Sequence, residues 1–182
     1  MVYKKIVSLC QKNDPKAQRE LYEMFSPKLY GSCLRYAPNE QEAQDILQDS
    51  FITIFKKIDQ FKFKGSFEGW CKRITVNTAL QRYRGTKVFD LVNEDQIEDV
   101  EAVEVEESDD VPLKELLFMV QQLPERYRLV FTMYVMDGYS HKEIAEMMKI
   151  TLGTSKSNLA RARQNLQIMV KSWRESHNSN AS

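Results

Sequence analysis

Aromatic rings and positive charges alternate along residues 61–85, which read FKFKGSFEGWCKRITVNTALQRYRG. The stretch holds five aromatic residues and six lysines or arginines against a single acid, Glu68. A protein core takes the rings without the charges, and a solvated helix face takes the charges without the rings. A surface that grips unpaired nucleic acid uses both, because rings stack on bases and cations hold phosphates. The stretch therefore predicts contact with a single strand.

A second basic stretch lies near the carboxyl end, where SHKEIAEMMK is followed by TLGTSKSNLARARQNLQ. Apolar residues recur at spacings of three and four in both runs, which is typical of two helices joined by a tight turn. Residues expected to be buried in this pair are Ile144, Ala145, Met148, Ile150, Leu159, Ala162 and Leu166. Residues expected on the outer face are Lys156, Ser157, Asn158, Arg161 and Arg163. Such a face suits base edges in the major groove, although a helical hairpin with a solvated basic face is the alternative.

Nothing in the sequence predicts catalysis, a cofactor or a metal site. Cys10, Cys33 and Cys71 are far apart and form no CxxC pair, and the two histidines stand alone. We expect Cys33 and Cys71 to be small core residues. We expect His141, which follows a helix cap, to be an ordinary surface residue. No nucleophile–base pair or carboxylate dyad is evident, so the protein is not expected to be an enzyme.

The elements that carry these residues are predicted to be helices, because no run shows sustained β alternation. Predicted helix starts lie at Asp14 before Pro15, at Asn39, at Ser140 with Glu143, and at Thr151. The helix after Asn39 groups one set of apolar residues on a single face: Ala43, Leu47, Phe51, Ile54 and Ile58. We therefore expect an all-α fold.

The net charge of zero conceals three segments of different charge. Residues 1–85 carry 15 basic and 9 acidic side chains, residues 86–110 carry 1 and 11, and residues 111–182 carry 10 and 6. The acidic segment has no helical stripe and repels itself, so it reads as a flexible linker. We expect two small helical domains, 1–85 and 111–172, followed by a disordered tail at 173–182. No membrane-spanning stretch or signal peptide is recognisable, which favours the cytoplasm.

The carboxyl-terminal segment resembles the promoter −35-binding domain of bacterial RNA polymerase sigma factors, above all those of the extracytoplasmic-function class. The matching residues are Leu123–Pro124, Arg128, Glu143–Ile144–Ala145, Gly153–Thr154, Lys156–Ser157 and Arg161–Ala162–Arg163. Two positions depart from the family pattern. Lys149 stands where the turn usually has glycine, and Ser155 stands where valine usually follows Gly-Thr. Lys149 must then either adopt a left-handed backbone or shift the turn, at a cost of about 1 kcal/mol.

The amino-terminal segment resembles the other half of the same family. Residues 43–61 are similar to its core-polymerase-binding helix, and residues 63–84 to the part that melts and holds the promoter −10 element. Trp70, Arg73–Ile74 and Asn77 fit the pattern, whereas Cys71 replaces the usual leucine. The middle domain of larger sigma factors is absent, and the acidic linker stands in its place. The resemblance covers about 16–85 and 112–170.

The resemblance implies three sets of contact residues. Those expected at the −35 duplex are Thr154, Lys156, Ser157, Asn158, Arg161 and Arg163. Those expected at the −10 strand are Phe63, Lys64, Ser66, Trp70, Arg73, Asn77 and Arg84. Those expected at core polymerase are Asp45, Gln48, Asp49 and Ile52, where the acids would meet arginine on the partner. The implied partners are core RNA polymerase, promoter DNA as duplex and single strand, and an anti-sigma factor.

The geometry expected for residues 67–84 follows from helical periodicity. Phe67, Cys71, Ile74 and Thr78 are expected to face inward, with Trp70 partly buried beside them. A neighbouring stripe of the helix is expected to contain Trp70, Arg73, Asn77, Gln81 and Arg84. The loop at 61–66 contains Gly65 and is expected to accept one base turned out of the stack. The alternative is that the aromatic rings only close the core.

Two other functions compete with the sigma-factor interpretation. A helix-turn-helix regulator with an amino-terminal sensing domain explains the carboxyl-terminal pattern but not the rings and cations of 61–85. A base-flipping enzyme needs catalytic zinc ligands that the sequence lacks. The role of the linker stays open between a mimic of the RNA phosphate chain and a solubilising spacer.

Overall fold

The structure, a computed structural model, describes residues 2–84 and 111–178, with side chains over 3–83 and 111–177. All regular structure in these two ranges is helical. The chain divides between Gly85 and Thr86 into two compact units. The all-α prediction with two small helical domains is confirmed, and the predicted linker at 86–110 lies outside the described residues. No helix in the described ranges is long and apolar enough to cross a membrane.

The first unit contains four helices. They are α1 Val2–Cys10, α2 Pro15–Tyr36, α3 Glu40–Lys57 and α4 Phe67–Arg84, with a 3-10 turn at Ile58–Gln60 after α3. Helices α2, α3 and α4 pack on one another, and α1 packs on α2. Their largest fully buried side chains are Leu21, Leu29, Tyr36, Ile46, Ile54, Phe67 and Leu80. Burying each such side chain contributes about 1.5–3 kcal/mol, so this shared interior holds the three long helices together.

The predicted helix starts of this unit are confirmed. Asp14 accepts hydrogen bonds from the amides of Lys16 and Ala17 at 2.9 and 3.0 Å, and Pro15 occupies the first turn. Asn39 accepts from the amide of Glu42 at 2.9 Å. The apolar face predicted for α3, from Ala43 to Ile58, is buried throughout. Local sequence therefore sets where α2 and α3 begin and which side of α3 enters the core.

Helix α4 buries a wider surface than the sequence predicts. Phe67 and Cys71 face inward as expected, but Ile74 and Thr78 are only half-buried. The remaining buried positions are Thr75, Val76, Ala79, Leu80 and Tyr83. The inward face is rotated from the predicted one because α4 packs against both α2 and α3. A helix that contacts two neighbours buries two flanks, which a single apolar stripe does not reveal.

Within its described residues, 111–178, the second unit contains four helices: α5 Leu113–Gln122, α6 Glu125–Phe131, α7 His141–Met148 and α8 Leu152–Asn178. A π-helical turn at Thr132–Met136 continues α6. Helices α5, α6 and α7 all pack on α8. Arg128 is buried, and its Nη1 donates to the carbonyls of Gln121 and Leu123 at 3.1 and 3.0 Å. This guanidinium satisfies carbonyls at the end of α5 that lack helical partners.

The last helix extends further than expected. Helix α8 continues to Asn178, whereas the sequence predicts a disordered tail from residue 173. The ring of Trp173 stacks on His177, with centroids 4.0 Å apart and planes inclined by 20°. The Ser176 hydroxyl donates to the Trp173 carbonyl at 2.8 Å. Contacts between residues three and four apart extend the helix through a polar sequence.

Candidate nucleic-acid and partner interfaces

The turn between α7 and α8 has the geometry that the sequence predicts. Ser140 and Glu143 form a complete capping box: the Glu143 carboxylate accepts from the Ser140 amide at 2.9 Å. Lys149 ends α7 in the left-handed conformation, with φ 56° and ψ 45°. The Thr151 hydroxyl oxygen then accepts from the amide of Thr154 at 3.0 Å and caps α8. The two helices are therefore fixed at both sides of a tight turn, as in a helix-turn-helix.

The interior of this helix pair matches the expectation in part. Ile144, Met148, Leu159 and Ala162 are buried. Three further positions expected inside are half-buried: Ala145, Ile150 and Leu166. Ser155, at the position where the family usually has valine, is fully buried. A small polar residue therefore occupies the centre of the contact between α7 and α8.

The outer face of α8 carries most of the expected −35 residues but not all. Lys156 is exposed, and four others are half-exposed: Thr154, Ser157, Arg161 and Arg163. The expected exposure of Asn158 is wrong, since this side chain is only 7% exposed and its Nδ2 has no hydrogen-bond partner. Asn158 lies on the same side of α8 as Ser155, Leu159 and Ala162, which face the core. In this position the side chain faces the interior of the unit.

His141 is the residue of this unit that sequence reasoning missed. It is half-buried rather than an ordinary surface residue. Its Nδ1 shares a 2.9 Å hydrogen bond with the Ser155 hydroxyl, and its ring stacks on Tyr134 at 4.4 Å with planes inclined by 22°. Burial lowers the pKa of His141, and the positive charges of Lys156 and Arg163 lower it further. His141 thus joins the start of α7 to the first turns of α8.

The expected strand-binding stripe lies on the exposed side of α4. Arg73, Asn77 and Gln81 are exposed, and Trp70 is half-buried as expected. Of Arg84, only the backbone falls within the described residues. The stripe therefore presents an aromatic edge, an amide and a cation in one row. This is a combination that stacks bases and holds phosphates.

An aromatic cluster holds the loop before α4. Phe61 contacts Phe63, Phe67 and Trp70 at centroid distances of 5.3, 5.0 and 5.6 Å, and Phe25 of α2 contacts Phe67 at 5.3 Å. Phe61 and Phe67 are core residues, whereas Phe63 and Trp70 keep part of their surface exposed. The rings therefore both close the core and leave two edges outside. Phe61 and Phe67 thus close the core, while Phe63 and Trp70 keep the partly exposed edges that strand binding requires.

Backbone features of the same loop shape its surface. The Gln11 side chain donates to the carbonyls of Ile58 and Phe61 at 2.9 and 3.1 Å, which ties the loop to the end of α1. Phe63 has φ 58° and Gly65 has φ 89°. Lys64 and Ser66 are exposed at the tip, and the Ser66 hydroxyl accepts from the Gly69 amide at 3.2 Å. The two left-handed residues turn the chain so that this polar tip precedes α4.

The acids expected to meet polymerase already have a cation beside them. Arg82 of α4 pairs with Glu42, Asp45 and Asp49 of α3 at 2.7, 2.8 and 3.3 Å. Hydrogen bonding to Glu42 is the main cause of the raised pKa of Arg82. Asp49, with the longest of the three contacts, has a side chain that is 53% exposed. No linear pattern predicts this network, because Arg82 and Glu42 are 40 residues apart.

A groove lies beside this acidic row. It has a volume of about 420 Å³ and is lined by Tyr22, Tyr30, Leu47 and Gln48, among others. Ile52, one turn further along α3, is 59% exposed. Gln48, Asp49 and Ile52 thus form an outward surface next to a groove of mixed polar and apolar lining, which the sequence did not reveal. In the ranges that the structure describes, no group of histidine, cysteine and acidic side chains is arranged to hold a metal ion.

Comparison with known proteins identifies the same two regions. Residues 21–88 match the family model described as Sigma-70 region 2, and residues 113–166 match Sigma-70, region 4. The chain is 31% identical over 180 residues to the ECF RNA polymerase sigma factor SigW of Bacillus subtilis, covering 92% of this chain and 96% of the relative. It is 30% identical over 171 residues to the RNA polymerase sigma-H factor of Pseudomonas aeruginosa, covering 87% and 89%.

A solved structure shares the fold. The sigma factor RpoE of Bartonella quintana, determined in complex with the anti-sigma factor NepR, aligns with a TM-score of 0.53 and 24% identity. The alignment covers 84% of this chain and 96% of that one. Two matched regions, two small helical units and relatives aligned over nearly their whole length lead to one conclusion. The chain belongs to the sigma-70 family, in the extracytoplasmic-function group of RNA polymerase sigma factors.

Proposed function

We propose that this sigma factor reads the −35 duplex with α8, holds the melted −10 strand with α4 and its preceding loop, and docks on core polymerase through α3. Promoter-specific initiation of transcription is the function of its family. The observation that carries the residue assignment is the pair of outward faces, a cationic one on α8 and one on α4 that combines a ring, a cation and amides. A sensing domain needs no such row on the first unit, so the regulator alternative is not favoured.

The assignment for the −35 duplex rests on the exposed half of α8. Lys156 and Arg163 supply charge for phosphates, while Ser157, Arg161 and Thr154 lie on the same outward half of the helix. Base edges are read by such side chains when the helix enters the major groove. Asn158 is left out of this set because it is buried.

The assignment for the −10 strand rests on α4 and the loop tip. Trp70 and Phe63 offer ring edges, and Arg73, Lys64, Asn77 and Ser66 offer charge and hydrogen bonds. A base turned out of the stack costs a few kcal/mol, which ring contacts in the loop offset. Arg84 belongs to the same proposal through its place at the end of α4.

The docking surface on polymerase is centred on Gln48, Asp49 and Ile52 beside the groove between α2 and α3. A cationic side chain of the polymerase pairs with Asp49, and an apolar one covers Ile52. Asp45 contributes with Arg82, to which it is already paired. The protein performs no covalent chemistry of its own, and it acts in the compartment where RNA polymerase works.

An anti-sigma factor is the remaining proposed partner. The RpoE structure of Bartonella quintana contains one, NepR. On this chain α5 exposes Leu113, Leu116 and Phe118. We propose that an anti-sigma factor covers surfaces of this kind and keeps the protein from polymerase.

The test is run-off transcription with bacterial core polymerase and a pool of promoter DNA, with and without this protein. Discrete start sites that depend on the protein are expected, and they deliver its promoter sequences. The proposal is wrong if no such start sites arise and the protein does not co-migrate with core enzyme. If the protein then still binds duplex DNA without polymerase, a helix-turn-helix regulator becomes the better interpretation of its function.

A further inference from the structure

His141 connects the two helices of the DNA-reading unit in a way that a plain surface residue does not. Its Nδ1 and the Ser155 hydroxyl lie 2.9 Å apart, and Ser155 is fully buried at the start of α8. Tyr134 stacks on one face of the imidazole at 4.4 Å. The ring is therefore held from the π-helical turn on one side and from α8 on another. Its placement fixes how the start of α7 meets the helix that reads DNA.

The same ring lies in a positive environment. The charged side chains of α8 that act on it are Lys156 and Arg163. On its own helix the neighbours are Lys142 and Glu143, and the Glu143 carboxylate is held by the Ser140 amide and hydroxyl. The titratable group on the π-helical turn is Tyr134. In the free protein partial burial, and after it the charges of Lys156 and Arg163, favour the neutral imidazole and lower the pKa of His141.

We propose that His141 is a proton-linked positioning residue: it holds Ser155 at the start of the recognition helix and takes up a proton when the −35 duplex binds. This rests on the proposed function, in which Lys156 and Arg163 meet DNA phosphates. Phosphates beside these two cations cancel the repulsion that disfavours the imidazolium. The hydrogen bond survives the change, because a neutral Nδ1 accepts from the Ser155 hydroxyl and a protonated one donates to its oxygen.

The sign of the pH dependence follows from this. Burial and the charges of Lys156 and Arg163 hold the pKa of His141 below its ordinary value in the free protein. Neutralisation of these two charges by phosphate raises this pKa in the complex. Binding therefore takes up a proton, and duplex affinity rises as pH falls through the interval between the two values. A rise of one pKa unit corresponds to an affinity gain of up to about tenfold at the acidic end.

The chain offers a matched control, because its only two histidines are His141 and His177. His177 stacks on Trp173 near the end of α8 and is exposed. Two variants distinguish the effect of protonating His141 from the effect of its hydrogen bond to Ser155. His141→Asn keeps a hydrogen-bonding amide near Ser155 but cannot titrate, and Ser155→Ala removes the bond. His177→Asn removes the other imidazole and leaves the His141 contact intact.

The first experiment needs no variant at His141. Imidazole signals of the full chain are titrated by NMR with and without a duplex that carries the −35 element found by run-off transcription, with His177→Asn used for assignment. We expect the pKa of His141 to rise when the duplex is added. An unchanged pKa at saturating duplex would overturn the proposal while leaving the sigma-factor function intact.

The second experiment measures affinity of the holoenzyme for the same duplex between about pH 6 and pH 8. Wild type and His177→Asn are expected to gain several-fold more affinity on acidification than His141→Asn. Ser155→Ala should weaken binding at every pH. Equal pH dependence in wild type and His141→Asn refutes the proposal. If the wild-type holoenzyme binds no promoter duplex at any pH, the proposed function fails and this inference fails with it.

Discussion

Lys149 is a residue whose backbone conformation is unfavourable for its side chain. It adopts φ 56° to end α7, a conformation in which the Cβ atom crowds the following carbonyl. Its amide still donates to the Ala145 carbonyl, as the cap requires. The turn therefore keeps its geometry with an unfavourable residue. The cost is local, so it is measurable by one substitution.

Lys149→Gly is expected to stabilise the protein by about 1 kcal/mol, because glycine adopts the left-handed region without crowding. The measurement is chemical denaturation followed by circular dichroism. The matched control is Lys142→Gly in the first turn of α7, which replaces a lysine that has an ordinary helical backbone and should therefore give no stabilisation. A loss of stability in Lys149→Gly would show that its αL conformation carries no strain.

Pairs of helices in this protein are joined by contacts far apart in sequence, and Arg82 is the main example. It lies on the side of α4 that faces α3 and pairs with Glu42, Asp45 and Asp49. Its side chain is 31% exposed, so water screens the pairs only in part. By contrast, Lys28 and Glu68 form a single pair at 2.7 Å with both side chains well exposed. A network of three carboxylates around one guanidinium stabilises more than an isolated exposed pair.

Arg82→Gln is therefore expected to lower the free energy of unfolding by about 1 kcal/mol, while Lys28→Gln lowers it by less than about 0.5 kcal/mol. Both variants remove one positive charge from the same unit, so net charge does not distinguish them. Thermal and urea unfolding of the full chain provide the comparison. Equal effects of the two substitutions would show that the Arg82 network adds nothing beyond an ordinary surface pair.

The proposed strand site lies on the side of α4 that does not pack on other helices, so stability and strand binding should respond to different substitutions. Arg73 and Asn77 are exposed, so the double variant Arg73→Gln/Asn77→Ala should change stability by no more than about 0.5 kcal/mol. It should weaken capture of a −10 single strand by the holoenzyme by about 1.5 kcal/mol, roughly tenfold. The control Lys5→Gln removes an exposed charge from α1. If the double variant binds the strand with normal affinity, the strand site does not lie on this face of α4.

The charge of the whole molecule is zero because two basic segments of the sequence flank an acidic one. Residues 1–85 and 111–182 carry a surplus of basic side chains, and residues 86–110 carry eleven acids against one lysine. Affinity for DNA depends strongly on contacts with phosphate, and a zero net charge gives no general attraction. Two modest sites act together only when the polymerase and the promoter engage both units.

The free full-length chain is accordingly expected to bind promoter DNA only weakly at physiological salt, with Kd no tighter than about 1 μM. Replacing the eleven acids of 86–110 with serine and glycine should tighten this binding several-fold by removing competing negative charge. Fluorescence anisotropy at several salt concentrations measures both. Nanomolar binding by the unmodified free chain would contradict the expectation.

The sequence by itself determined the helical class of the fold and the capped helix starts at Asp14, Asn39 and Ser140. These features depend on residues within about four positions of one another, so a linear pattern contains them. Only the tertiary structure decided which flanks of α4 are buried, that Asn158 faces inward, that His141 holds Ser155 and that Arg82 gathers three acids. Each of these depends on where a second or third helix lies, and helix packing brings together residues that the sequence separates.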